Sequence, residues 1–268
     1  MKLKDKRKQL VSNLQALQSV VIAFSGGVDS TFLLAVAHEV LGNAVLAVTA
    51  DSSIHAEAEH AVAMKMAKAI GVAHITIQSR EMTLPEFIRN DSNRCYVCKK
   101  SLFSDLLHLA DQNGIPHVLH GANLDDVRDF RPGMKAAHEL GIVSPLLQAS
   151  LTKADIRLLA KEMNLPNWAK PANACLATRI PYGVALSQTN LKMVANAEDV
   201  LQTLGFETCR VRHHGKVARI EVPVNDVMRL LKPETSAVII EKLKRIGFVH
   251  VALDMAGYVS GNMNREIA

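Results

Sequence analysis

Aromatic side chains make up only 4% of this 268-residue chain, which leaves few flat platforms on which unpaired bases could stack. Charge is no more suggestive of a polyanionic partner: 31 Lys+Arg against 26 Asp+Glu leaves +5, an excess that suits small anionic ligands. Nucleic acid is therefore disfavoured. No run of sequence approaches the ~18 apolar residues of a membrane span. The charged start Met1-Lys2-Leu3-Lys4-Asp5-Lys6 is not followed by the apolar stretch of a secretory leader, so a cytoplasmic protein with no membrane partner is expected. Cysteine is sparse too. The four present read as thiols or metal ligands before they read as disulfides. Neither an internal repeat nor a low-complexity tract is visible.

Hydrophobic residues at 49% and charged residues at 21% describe a globular chain, and the length allows a main domain with a smaller appendage. Leu10, Val11, Leu14 and Leu17 mark an amphipathic helix, and Val20-Val21-Ile22-Ala23-Phe24 is a short apolar run suited to a buried parallel strand. Helices over 30–41, 55–70 and 96–113 then alternate with strands over 44–49, 72–78 and 117–120. That alternation predicts an α/β fold with a doubly wound parallel sheet. Thr152 should cap a further helix, with Asp155 completing a capping box. A proline-bearing loop from Pro166 to Gly183 marks the boundary between a domain at 1–183 and an α+β domain at 184–268, the latter for substrate binding or oligomerisation.

Within the second domain the order helix, strand, strand, helix, strand is expected. His214-Gly215 between two alternating segments predicts a hairpin whose register sets Arg210 against Arg219. Cys209, Val211, Ala218, Ile220 and Val222 then share an apolar face, with Cys209 a buried thiol. Arg210, Arg212, Arg219 and Glu221 share the other. Opposed like charges cost stability, so an anion or Glu221 should lie between the arginines.

The hexapeptide Ser25-Gly26-Gly27-Val28-Asp29-Ser30 carries the chemistry. Two glycines let the backbone approach a phosphate closely, and the helix that follows offers unpaired N–H groups and a positive dipole end. Its loop lacks the lysine that precedes Ser/Thr in nucleotide-hydrolysing P-loops, which argues against γ-phosphate transfer. Cys95 and Cys98, three apart at a helix start, can face one way, and the helix end draws their thiols toward thiolate. This spacing alone fits a soft-metal site, a zinc site or a redox pair.

Ala23-Phe24-Ser25-Gly26-Gly27-Val28-Asp29-Ser30 resembles the signature of the PP-loop ATP pyrophosphatases, the adenine nucleotide α-hydrolase-like enzymes that cleave ATP to AMP and pyrophosphate. The resemblance implies that Ser25, Gly27, Asp29 and Ser30 hold pyrophosphate, with Asp29 also positioning Mg²⁺. It sets ATP against Ala23, Phe24, Ser25, Gly26, Gly27, Asp29, Ser30, Thr49, Gly121 and Arg131.

Further stretches narrow the resemblance. These are Arg94-Cys95-Tyr96-Val97-Cys98-Lys99, Gly121-Ala122-Asn123-Leu124-Asp125-Asp126 through Asp129-Phe130-Arg131-Pro132-Gly133, and Cys175-Leu176-Ala177-Thr178-Arg179-Ile180-Pro181-Tyr182-Gly183. With Arg210-Val211-Arg212 and Arg219-Ile220-Glu221, they are similar to the LarE family of sulfur transferases over nearly the whole chain. That family builds the nickel-pincer nucleotide cofactor of lactate racemase. The resemblance implies a pyridinium mononucleotide substrate, held by Arg179, Arg210, Arg212 and Glu221, whose carboxylates are adenylated and converted to thiocarboxylates.

In the best-known form of the family one cysteine gives up its own sulfur. Here Cys95 and Cys98 accompany Cys175, as in the cluster-dependent branch, and if the loop of Cys175 folds over the mouth of the sheet the three thiolates converge beside ATP. Three cysteines can hold a [4Fe–4S] cluster and leave one iron open for a donated sulfide. Cys95, Cys98 and Cys175 are thus expected as both metal ligands and sulfur-transfer residues in a homo-oligomeric enzyme. Sacrificial transfer from Cys175, a tRNA thiolase and a non-catalytic nucleotide-binding module are the alternatives.

Overall fold

In a computed structural model describing residues 1–127, 132–171 and 174–259, without the side chains of Glu57 and Ala58, the apolar run at 20–24 is the centre of a sheet. Helix α1 (Leu3–Gln15) leads into β1 (Val20–Ala23), and α2 (Val28–Leu41), β2 (Val45–Asp51), α3 (Glu57–Ile70) and β3 (Ala73–Gln78) follow. Val20, Val21 and Ile22 are fully buried, as a strand covered on both faces requires. Short α4 (Pro85–Ile88) precedes α5 (Arg94–Gln112), and β4 (His117–Leu119) returns to the far side of β1. The four strands are parallel in the order β3-β2-β1-β4. After β4 come α6 (Pro132–Glu139), α7 (Pro145–Gln148) and α8 (Lys153–Glu162). Thr152 and Asp155 form the expected capping box on α8.

The order reverses between β1 and β4, and in open α/β sheets ligands bind outside the carboxyl ends of the strands at such a switch point. Leu10, Leu14, Phe32, Leu33, Leu34, Ile156 and Leu159 form the core on one face of the sheet, and Phe103, Leu106 and Ala137 cover the other. This is the α/β parallel-sheet fold expected from the sequence. No helix among the described residues is long and apolar enough to cross a membrane.

The chain divides into two compact units, one formed by residues 1–84 and 93–173 and the other by 85–92 and 174–268. In the second unit, α9 (Gln188–Thr203) precedes β5 (Arg210–His214), β6 (Val217–Glu221), α10 (Val224–Leu230), α11 (Pro233–Ile246) and β7 (His250–Leu253). The sheet runs β5-β6-β7 over a core of Leu201, Phe206, Cys209, Val211, Ile220, Leu243 and Phe248. Two helices stand where one was expected, because Pro233 can begin a helix but cannot continue one. The excursion 85–92 is fastened by Asn90, whose Nδ2 donates to the carbonyls of Pro181 (2.8 Å) and Val184 (2.9 Å).

The hairpin register differs from the expectation. Arg210 faces Glu221 and Arg212 faces Arg219, so Arg210 does not oppose Arg219. The turn residues are Gly215 and Lys216, with φ +63° at Gly215 and no positive φ at Lys216, the pattern of a type II′ turn that demands glycine first. Placing Gly215 second displaced the pairing by two residues. The face assignment survives, because an even shift keeps every side chain on its side.

Candidate functional site

The loop after β1 is shaped by close packing. Gly26 has φ +70°, and a Cβ there would lie 3.1 Å from the backbone of Ala63, so only glycine fits. Gly27 caps α2. Ser30 Oγ donates to the Gly27 carbonyl (3.1 Å) and accepts from the Ser25 N–H (3.3 Å), which folds the loop over the first turn of α2. Gly121, beyond β4, packs so tightly that an added Cβ would stand 3.0 Å from the Ser30 nitrogen. Thr49 on β2 donates to the Phe24 carbonyl (2.8 Å), and since its single proton is spent there, His74 Nε2 must donate to it (2.8 Å). Ala23, Phe24, Thr49 and Gly121 thus all border or brace the loop, whereas Arg131 lies outside the described residues.

Asp29 forms an ion pair with Lys153 at the first position of α8, and its other oxygen is buried without a hydrogen-bond partner among the described residues. Burial raises the Asp29 carboxyl above its ordinary range; Lys153 opposes that shift and Asp126 adds to it. Arg157 adds a second, weaker positive charge on the side of Lys153. The Lys153 backbone N–H donates to Asp125 (2.8 Å), and Asn123 and Asp126 close the intervening turn by hydrogen bonds of 2.9 Å. Asn167 is 5% exposed and donates to the Gly26 carbonyl (3.0 Å) and to Thr31 (2.9 Å).

Sequence reasoning missed Lys153 and Asn167. Their partners lie 124 and 141 residues away, and no local signal announces such contacts.

All four cysteines are thiols. Cys95 and Cys98 are half-buried at the start of α5 in the first unit, while half-buried Cys175 caps the 3-10 turn Leu176–Arg179 in the second. Among the described residues, no three His, Cys, Asp or Glu side chains are grouped as a metal centre. Cys209 is fully buried, and burial pushes its thiol up to about 12.

The second unit holds a concentration of buried charge. Arg179 makes two bonds to Glu198 (2.8 and 2.9 Å) and donates to the Ala174 and Cys175 carbonyls (2.7 and 3.2 Å). Burial works against its charge, but Glu198 overcomes this and the net direction is upward. Arg212 makes two bonds to Glu221 (3.0 and 2.7 Å), and Arg219 reaches the same carboxylate (3.3 Å). Glu221 thus lies between two arginines as expected, though the pair is Arg212 and Arg219. Arg210, lowered by burial and then by Arg179, donates to the Cys209 carbonyl (2.6 Å) and rests 5.3 Å from the Tyr258 ring. Arg179, Arg210 and Arg212 are brought together here with Glu221 in a cationic cluster in which Glu198 fixes Arg179 and Glu221 fixes Arg212.

Glu198, which also accepts the Val211 N–H (3.0 Å), was missed although a signal existed. It falls in the apolar stripe of α9 with Leu191, Val194 and Leu201, where a carboxylate needs a buried partner.

A family model described as NAD synthase matches residues 1–95. The chain is 39% identical over 265 residues to an uncharacterized protein of Synechocystis sp., covering 99% of both chains. It is also 39% identical over 264 residues to the pyridinium-3,5-bisthiocarboxylic acid mononucleotide synthase of Lactiplantibacillus plantarum, covering 98% of this chain and 95% of the relative. A more distant similarity, 24% over 200 residues, is to the glutamine-hydrolysing GMP synthase of Aeropyrum pernix, over 68% of this chain and 39% of that one.

Proposed function

This chain belongs to the family of the pyridinium-3,5-bisthiocarboxylic acid mononucleotide synthase, LarE, and from that premise we propose that it adenylates the carboxylates of pyridinium-3,5-dicarboxylate mononucleotide and converts them to thiocarboxylates. A substrate carboxylate oxygen attacks the α-phosphorus of ATP, the bond to the β-phosphate oxygen breaks, and pyrophosphate leaves. A sulfur nucleophile then adds to the acyl carbon and AMP departs with its oxygen. A free carboxylate is a poor electrophile, and the mixed anhydride supplies the leaving group. Two carboxylates need two rounds.

The observation that carries the ATP half is Asp29, a buried carboxylate with one orphaned oxygen inside a loop built to receive phosphate. Mg²⁺ would satisfy that oxygen and neutralise phosphate charge. Ser25, Gly26, Gly27 and Ser30 take the pyrophosphate by exchanging the hydrogen bonds they make within the loop for bonds to its oxygens, and Lys153 supplies the cation that the loop itself lacks. Arg210 and Arg212 take the mononucleotide phosphate, Arg179 orders the loop carrying Cys175, Glu198 holds the Arg179 guanidinium in place and Glu221 that of Arg212.

For the sulfur half, the thiol chemistry of Cys95, Cys98 and Cys175 suits an iron–sulfur cluster, although among the described residues the three are not grouped as a metal centre. Cys95 and Cys98 are thiols three apart at a helix start, Cys175 is a third, and none belongs to the buried core that claims Cys209. Cys95, Cys98 and Cys175 would hold a [4Fe–4S] cluster, which would supply sulfide as the sulfur nucleophile. Pyrophosphate release measured with and without the pyridinium mononucleotide tests the reading: release should depend on that substrate. ATP binding with no substrate-dependent release would reduce the chain to a nucleotide-binding module.

A further inference from the structure

Tyr258 has no part in the chemistry above, yet its position is set with care. After β7, the N–H groups of Asp254 and Tyr258 donate to the carbonyls of Ile220 and Val222, both at 2.9 Å, so the chain continues along the edge of β6. Gly257 makes the bend with φ +70°, where an added Cβ would lie 2.9 Å from the Val222 oxygen. This bend delivers a half-buried tyrosine to the arginine face. Its ring centroid is 5.3 Å from the Arg210 guanidinium carbon.

The phenylalanines of the second unit are shut away from any ligand. Phe206 and Phe248 are 0% and 2% exposed in the core, and Phe87 is 1% exposed, so none can present a face to a ligand. A pyridinium mononucleotide joins an anionic phosphate to a cationic aromatic ring. The arginines suit the first and repel the second, so the cationic ring needs an electron-rich surface beside them.

We infer that Tyr258 is the aromatic platform for the cationic ring of the substrate, with Arg210 occupying the ring face until the phosphate draws it away. This rests on the substrate class proposed above. Arg210 gains a dianion as its partner and yields the tyrosine face to the pyridinium, so one side chain answers to both ends of the ligand.

The test compares three probes on the full chain: pyridinium-3,5-dicarboxylate mononucleotide, orotidine 5′-monophosphate, whose carboxylated ring is uncharged, and ribose 5-phosphate. Tyr258→Leu should weaken the pyridinium compound by about 5- to 30-fold and leave the other two within about twofold. Tyr258→Phe should bind all three as the wild type does. Equal pyridinium affinity in the wild type and Tyr258→Leu overturns the platform. So does a parallel loss of ribose 5-phosphate, which would mean that Tyr258 acts only by holding Arg210.

If Tyr258→Leu does not fold, Tyr258→Trp in a Trp168→Phe background makes the ring its own reporter. Its fluorescence should be quenched by the pyridinium compound and not by orotidine 5′-monophosphate, and equal responses to both overturn the proposal. A wild-type protein that ignores the pyridinium mononucleotide while binding ribose 5-phosphate would overturn the substrate reading and this inference with it.

Discussion

The Asp29–Lys153 pair makes a prediction in which the sign matters as much as the size. Burial raises the folded-state pKa of Asp29 above the 3.8 of an ordinary aspartate, so the folded chain holds this proton more tightly than the unfolded chain. Its contribution to stability is fully present below 3.8 and is lost as pH rises through the folded value. The loss is about 1.4 kcal/mol for each pH unit over which only the folded state keeps the proton. Asp29→Asn removes the titration, so its stability relative to wild type should climb across that interval and then level off. Lys153→Met removes the cation that holds the carboxyl down, so its relative stability should fall, and go on falling to higher pH. Urea unfolding between pH 4 and 8, followed by the fluorescence of Trp168 in the same unit, measures both differences. Asp29→Asn should also lower pyrophosphate release by roughly 10²- to 10³-fold, the usual loss when an electrostatic group at a transition state is removed. Wild type and Asp29→Asn running parallel across the whole pH range would refute the assignment of a strained, buried charge at this loop.

The arginine face gives a second test: Arg210→Ala with Arg212→Ala should weaken mononucleotide binding by about 1.5–3 kcal/mol per lost charged contact while ATP affinity is unchanged, as titration calorimetry would show. Glu198→Gln leaves Arg179 buried without its counter-charge, and denaturant unfolding should show a loss of about 3–5 kcal/mol. Cys209, with its thiol pushed up to about 12, should resist alkylation at pH 8 in the folded protein, and Cys209→Ala should keep full sulfur transfer. Peptide mapping after iodoacetamide treatment checks the first part.

What was legible followed from local rules. Val20–Phe24 read as a buried strand because parallel strands are apolar on both faces, and the phosphate loop is contiguous, so its glycines and Asp29 could be placed before any contact was known. The hairpin faces were legible for the same reason, since alternation survives an even error in register. The register itself was not. It depended on which side of Gly215 the turn falls, a matter of φ at one residue. Lys153 and Asn167 stayed hidden because they meet the loop only after α8 and the segment behind it pack against α2. Likewise the excursion 85–92 joins the second unit through Asn90, which nothing in its own neighbourhood predicts.

ATP-driven sulfur transfer through Cys95, Cys98 and Cys175, as proposed, can be counted chain by chain. The protein is reconstituted anaerobically with iron and sulfide and given ATP, Mg²⁺, sulfide and pyridinium-3,5-dicarboxylate mononucleotide. Thiolated product and AMP are then counted per chain, and the spent polypeptide is weighed. The account predicts several sulfurs transferred per chain, one AMP for each, and an unchanged polypeptide mass. Changing any one of the three cysteines to Ala should abolish the transfer. A single sulfur per chain, with the mass lowered by about one H₂S at Cys175 and no need for iron, would contradict it.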